Sequence, residues 1–223
     1  MKILALETST ELCSAALWTN GKVDAREALA GSRNSELLLP KVEALLAAHQ
    51  LTVRDLDGVA FGSGPGAFTG VRIACGVAQG IAFGIDVPVV AIGTLMALAE
   101  AANVPRVVCC LDARMGEVYH AAYEKSGNEW REVHAPGLYK PATVPDLPAG
   151  KWMGCGSGFS AFAVQLAARY GGSLERVIDG LVPHAREIAS LAGRRFQRAE
   201  TMDAADALPL YVRNKVALKV SER

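Results

Sequence analysis

The sequence predicts an α/β chain of two lobes, each a mixed sheet flanked by helices. Two stretches, opening at Ile3 and at Val107, run through a similar order of strands and helices. Each begins with an apolar strand that ends in an acid, Glu7 in the first and Asp112 in the second. Apolar residues make up 51% of the 223 and charged residues 21%, enough to bury a substantial core and too apolar for disorder.

In the first unit, Ile3 to Leu6 is a short apolar run suited to a central strand, and Glu7-Thr8-Ser9-Thr10-Glu11 is its polar tip. Cys13 to Leu17 forms a second strand, Asn20-Gly21 a two-residue hairpin turn, and Val23 to Leu29 a third strand. Gly31 to Ser35 offers N-cap candidates for a helix running to about His49, with Leu38, Leu39, Val42, Leu45 and Leu46 on one arc. Leu37, Ala44 and Ala48 form a smoother second face, and Pro40 kinks the helix or lies near its start. A strand around Val59, a glycine-rich loop, a helix to about Gly84, a strand at Val87 to Ile92 and a helix at Thr94 to Ala102 complete the unit.

The second unit reads Val107 to Leu111, Glu117 to Tyr123 and Trp130 to His134 as strands, followed by a connection rich in proline (Pro136, Pro141, Pro145, Pro148). A strand at Lys151 to Met153, a helix at Ser160 to Tyr170, a strand at Arg176 to Asp179 and a helix at His184 to Arg198 follow. The expected lobes are therefore 1–103 and 104–204, with about 205–223 packing back on the first.

Lysine plus arginine equals aspartate plus glutamate at 23 each, so no global field draws the chain to nucleic acid or an anionic membrane. The five cysteines contain no Cys-x-x-Cys pair and read as buried, reduced thiols of a cytoplasmic protein. Met1 to Glu7 reads as a strand, not a signal peptide, because polar residues follow after only four apolar positions. The four histidines, His49, His120, His134 and His184, are scattered without ligand spacing and read as surface or capping residues.

Gly62, Gly64 and Gly66 permit positive φ or close backbone approach, so the loop from Gly62 to Gly70 is shaped. It has no lysine for a Walker A register, and Ala67 or Thr69 stands where a dinucleotide fingerprint needs its third glycine. In the following helix Gly76, Gly80 and Gly84 recur every four residues beside Ala74, Ala78 and Ala82. Each interior glycine costs about 1 kcal/mol relative to alanine. The stripe packs on the chain's own sheet or meets a partner helix. Arg72, a cation in the first turn, opposes the macrodipole and is better explained by a carboxylate or carbonyl that it holds.

Two such units with facing acidic tips describe the duplicated actin-like ATPase fold, of the ribonuclease H-like type. The tips fit nucleotide poorly: such ATPases want Asp-x-Gly, and here stand Glu7-Thr8-Ser9 and Asp112-Ala113-Arg114, with Arg114 able to fill the phosphate space. Gly154, Gly156 and Gly158 stand where an adenosine loop would sit. The expectation is a degenerate nucleotide cleft formed by Glu7, Thr8, Ser9, Asp112, Gly154 and Gly156, without metal or cofactor. A small ATP-dependent kinase of the same fold is the alternative, and a homodimeric interaction module is a third reading.

Ile3-Leu4-Ala5-Leu6-Glu7-Thr8-Ser9, Ser35-Glu36-Leu37-Leu38-Leu39-Pro40, Gly64 to Arg72, and Pro209-Leu210-Tyr211-Val212-Arg213-Asn214 together resemble the TsaB (YeaZ) family of the bacterial threonylcarbamoyladenosine pathway for tRNA. The resemblance covers nearly the whole length. It implies a non-catalytic paralogue of TsaD that pairs with it, helps recruit the ATPase TsaE, and serves threonylcarbamoyl transfer to N6 of adenosine 37 in tRNAs reading ANN codons. TsaC and tRNA are indirect partners, and alone the chain would form a two-fold homodimer. The implied interface comprises Ser35, Leu37, Leu38, Ala44, Ala48, Phe68, Arg72, Gly76, Gly80 and Gly84. The family often has histidine where Asn34 stands here, and its older glycoprotease label finds no nucleophile motif in this chain.

Overall fold

A computed structural model describes residues 1–213. Asn214 and the rest of the expected returning segment, 214–223, lie outside the described residues. The first sheet contains β1 (Lys2–Glu7), β2 (Leu12–Thr19), β3 (Lys22–Leu29), β4 (Gly58–Gly64) and β5 (Val89–Gly93), in the order β3-β2-β1-β4-β5. The second contains β6 (Arg106–Asp112), β7 (Val118–Ser126), β8 (Glu129–Tyr139), β9 (Trp152–Cys155) and β10 (Leu174–Ile178), in the order β10-β9-β6-β7-β8. Each sheet has three antiparallel strands followed by two parallel ones, so the duplication read from the sequence is a duplication of topology. The helices are α1 (Asn34–Ala48), α2 (Phe68–Ile85), α3 (Thr94–Ala102), α4 (Ser157–Ala161), α5 (Ala163–Tyr170) and α6 (Ala185–Gln197).

β1 and β6 are the central strands, buried on both faces, which is why they read as unbroken apolar runs. Leu4, Leu6, Val59 and Phe61 pack under Leu38, Val42 and Leu45 of α1 and Ala74, Ala78 and Ala82 of α2. On the other face Ile3, Ala5, Ala60 and Val90 meet Ala97 of α3 and Ile188, Ala189 and Ala192 of α6. Asn20 at φ 49° and Gly21 at φ 91° supply the two positive values that the first hairpin's turn requires.

Several expectations need correction. The last helix belongs by packing to the first sheet, although the sequence order places it in 104–204. Its apolar stripe fits either sheet, and only the fold's crossover decides which one receives it. β8 runs through Pro136 to Tyr139; as an edge strand with a shifted register it tolerates a residue that cannot donate to the ladder. The helix expected from Ser160 breaks at Phe162, where φ is −132° and ψ is 38°, into α4 and α5.

His120 is not a surface residue. It is fully buried beside His134, Tyr139 and Tyr170, with ring centroids 5.6, 5.6 and 6.4 Å away. His184 does cap a helix: its Nδ1 accepts from Arg186 N at 2.9 Å.

Candidate functional site

The smooth helix separates its two small-residue rows. Ala74, Ala78 and Ala82 face inward and let α2 lie close to the first sheet. Gly76, Gly80 and Gly84 face outward, and a β-carbon added at any of them would meet nothing within 4 Å. The outward row is thus an open furrow. Helix α2 has 18 residues and enough apolar character to cross a membrane, the only such helix among the described residues; here its alanine face is covered by a sheet.

Ser35, Ala44 and Ala48 are exposed on α1, and Leu37 is half-buried at the margin of the core. Leu38, placed on the implied interface, is instead wholly inside the core against the first sheet. Leu38 and Leu39 are successive, so a helix must turn them about 100° apart, and Leu39 is the one left 48% exposed. Phe83 is 75% exposed beside Gly84 and extends the apolar face. Its signal was one large ring on the same side as the glycine row.

Phe68 and Arg72 stand at the start of α2. The Arg72 guanidinium lies 3.5 Å from the Phe68 ring centroid, and its Nε donates to the Tyr211 hydroxyl at 2.7 Å. This replaces the carboxylate or carbonyl expected for Arg72. The segment bearing Tyr211 is fastened to the first lobe by Leu210 N donating to Ser63 O at 2.8 Å and by Gln79 donating to Ala204 O and Ala207 O.

Between the lobes lies a cleft of about 1250 Å³, lined by residues from both tips, among them Ser9, Glu11, Asp112, Arg114, Tyr211 and Arg213. Only part of the expected nucleotide set reaches it. Glu7 and Thr8 are fully buried behind the glycine-rich loop, and Ser9 is 2% exposed. Asp112 accepts from Arg114 N at 2.8 Å and from its Nη1 at 3.3 Å, while Arg114 Nη2 lies 3.5 Å from Glu11 across the cleft. Gly154 and Gly156 are absent from the lining: the Phe159 ring fills the space beside Gly154, and the Cys110 carbonyl oxygen lies 2.4 Å from a β-carbon position on Gly156.

A nucleotide with its metal, which the fold class implies, therefore does not fit these residues. One tip carboxyl is sealed in the core, the other is engaged by Arg114, and the glycines that would flank adenosine pack on β6. Among the described residues no three His, Cys, Asp or Glu side chains are placed to hold a metal ion. Burial pushes the Glu7 carboxyl above its ordinary range, against the lowering effect of the hydrogen bond from Ser9 N.

Paired three-plus-two sheets with a cleft between their tips define a duplicated actin-like protein of the ribonuclease H-like type. A family model described as "TsaD: tRNA N6-adenosine threonylcarbamoyltransferase" matches residues 28–217. The chain is 36% identical over 227 residues to "tRNA threonylcarbamoyladenosine biosynthesis protein TsaB" of Escherichia coli (strain K12), covering 98% of this chain and 97% of that protein. It is 35% identical to the protein of the same name from Haemophilus influenzae, covering 98% and 96%. The solved structure "YeaZ from Pseudomonas aeruginosa" superposes with a TM-score of 0.87 at 38% identity, covering 94% of this chain and 99% of that one. The chain belongs to the TsaB (YeaZ) family.

Proposed function

We propose that this chain acts in threonylcarbamoyladenosine biosynthesis as a non-catalytic scaffold subunit in the cytoplasm. It pairs with TsaD through the outer faces of α1 and α2, helps recruit TsaE, and serves TsaC and tRNA only indirectly. The names of its relatives support the pathway. The observation that carries the scaffold role is the open furrow of Gly76, Gly80 and Gly84, flanked by Phe68 and Phe83. Gly76 and Gly80, both inside the helix, cost it about 2 kcal/mol together, and a partner helix seated against bare backbone offsets that.

The interface under this reading comprises Ser35, Leu37, Ala44, Ala48, Phe68, Arg72, Gly76, Gly80 and Gly84. In the absence of TsaD the same face joins a second copy about a two-fold axis. Size-exclusion chromatography with light scattering, run with and without TsaD at micromolar concentration, tests the pairing. Co-elution as a heterodimer is expected, and separate elution overturns it. Modified tRNA formed by the purified chain without TsaD overturns the non-catalytic part.

A further inference from the structure

We propose that the first tip, Glu7-Thr8-Ser9, is the element that positions the starts of α1 and α2 relative to each other, with Glu7 as its positioning residue. This rests on the reading of those helices as the docking face. In the parent architecture such a tip faces ligand. Here both docking helices grip it instead.

Four hydrogen bonds from the two helix starts, and one within the tip, meet at residues 7 to 10. From the α2 side, Ala67 N donates to Ser9 O at 2.8 Å, and the Thr8 hydroxyl donates to Gly70 O at 2.7 Å. From the α1 side, the Asn34 amide, itself 5% exposed, donates to Thr8 O at 3.5 Å and Thr10 O at 3.3 Å. Within the tip, Glu7 Oε1 accepts from Ser9 N at 2.5 Å and holds the turn closed.

The glycine-rich loop is cut to this shape. A β-carbon at Gly62 would lie 1.8 Å from Glu7 Oε2, one at Gly66 2.5 Å from Ser9 Cβ, and one at Gly70 2.0 Å from Thr8 O. These three glycines are the sockets into which the tip fits, in contrast to Gly76, Gly80 and Gly84, which face open space. Glu7 Oε2 has no hydrogen-bond partner among the described residues. A fully buried acid so placed is a poor choice for stability alone. Its use lies in fixing Ser9, and through Ser9 the amide of Ala67 just before α2.

The test compares the full-length chain carrying Glu7→Ala, Glu7→Gln or Asn34→Ala. Affinity for the TsaD-type paralogue is measured by titration calorimetry well below the melting temperature, and amide exchange is followed at Ala67 and Val71. Both alanine variants should bind at least tenfold more weakly. Glu7→Gln, which keeps the shape and an acceptor for Ser9 N, should bind within threefold of wild type. In Glu7→Ala the Ala67 and Val71 amides should exchange at least tenfold faster, with Ala122 in the second sheet unchanged.

Wild-type affinity in both alanine variants, or unchanged exchange at Ala67 and Val71, overturns the proposal. If Glu7→Ala does not fold, Asn34→Ala, which removes the longest of these contacts, carries the same two readouts. If the unaltered chain does not bind the paralogue, the docking reading fails, and the exchange measurement still decides whether the tip orders the helix starts.

Discussion

Arg72 and Tyr211 are 139 residues apart in sequence and joined by a 2.7 Å hydrogen bond from Nε to the phenol oxygen. The pair fastens the segment after the last helix to the first turn of α2, where the Arg72 guanidinium also covers the Phe68 ring. The cation that opposes the helix macrodipole is thereby stabilised by two aromatic faces instead of an acid.

Tyr211→Phe removes that hydrogen bond and keeps the ring. It should cost about 1 kcal/mol or less. Arg72→Ala removes the bond and both ring contacts and should cost about 1–2 kcal/mol. Urea unfolding of both variants checks the order.

Gly80→Leu should leave the first lobe folded, with unfolding free energy unchanged or raised by up to about 1 kcal/mol, because leucine is the better helix former and its β-carbon meets nothing. The same change should abolish pairing with TsaD and self-association. Light scattering beside a thermal melt separates the two effects, and an unfolded variant would contradict the open furrow.

Gly70→Ala lies in the same helix and should do the reverse. Its β-carbon would stand 2.0 Å from the Thr8 carbonyl oxygen, a backbone atom that cannot swing away. A loss of about 2–3 kcal/mol is expected, as for other forced overpacking. Chemical denaturation of Gly70→Ala against Gly80→Ala provides the comparison on one helix.

Acidification should weaken the second lobe through His120. Burial lowers this imidazole from its ordinary value of 6.5 to about 3, with a smaller contribution from His134. The unfolded chain therefore binds more protons between those values, and stability falls as pH drops below about 6.5. The expected loss is about 2 kcal/mol at pH 5. Glu7, raised by burial, acts with the opposite sign, losing stability as pH rises above its unfolded value. Denaturant midpoints of wild type and His120→Leu across pH 5 to 7.5 isolate the histidine: the slope should be shallower in the variant.

The repeated strand order was legible because each central strand is buried on both faces and leaves an unbroken apolar run at Ile3 and at Val107. The glycine row was legible by spacing. Spacing could not say which way either row of α2 pointed, since glycine and alanine differ too little to declare an inside. Leu38 was misplaced because two adjacent leucines satisfy the same loose periodicity until a sheet chooses between them. The burial of Glu7 was hidden because a strand's last residue faces core or cleft depending on a loop more than fifty residues away. Phe83 and Asn34 had only single-residue signals, and Asn34 gained its role from a tip that is distant in sequence.

The docking of α6 on the first sheet sets an order of assembly. Ile3, Ala5, Ala60 and Val90 emerge early in synthesis, yet their cover, Ile188, Ala189 and Ala192, is made near the end. A chain stopped at residue 103 would therefore carry a greasy, half-dressed sheet, and in the growing chain that side stays uncovered until α6 has been made. Splitting the molecule between residues 103 and 104 would yield two fragments that need each other.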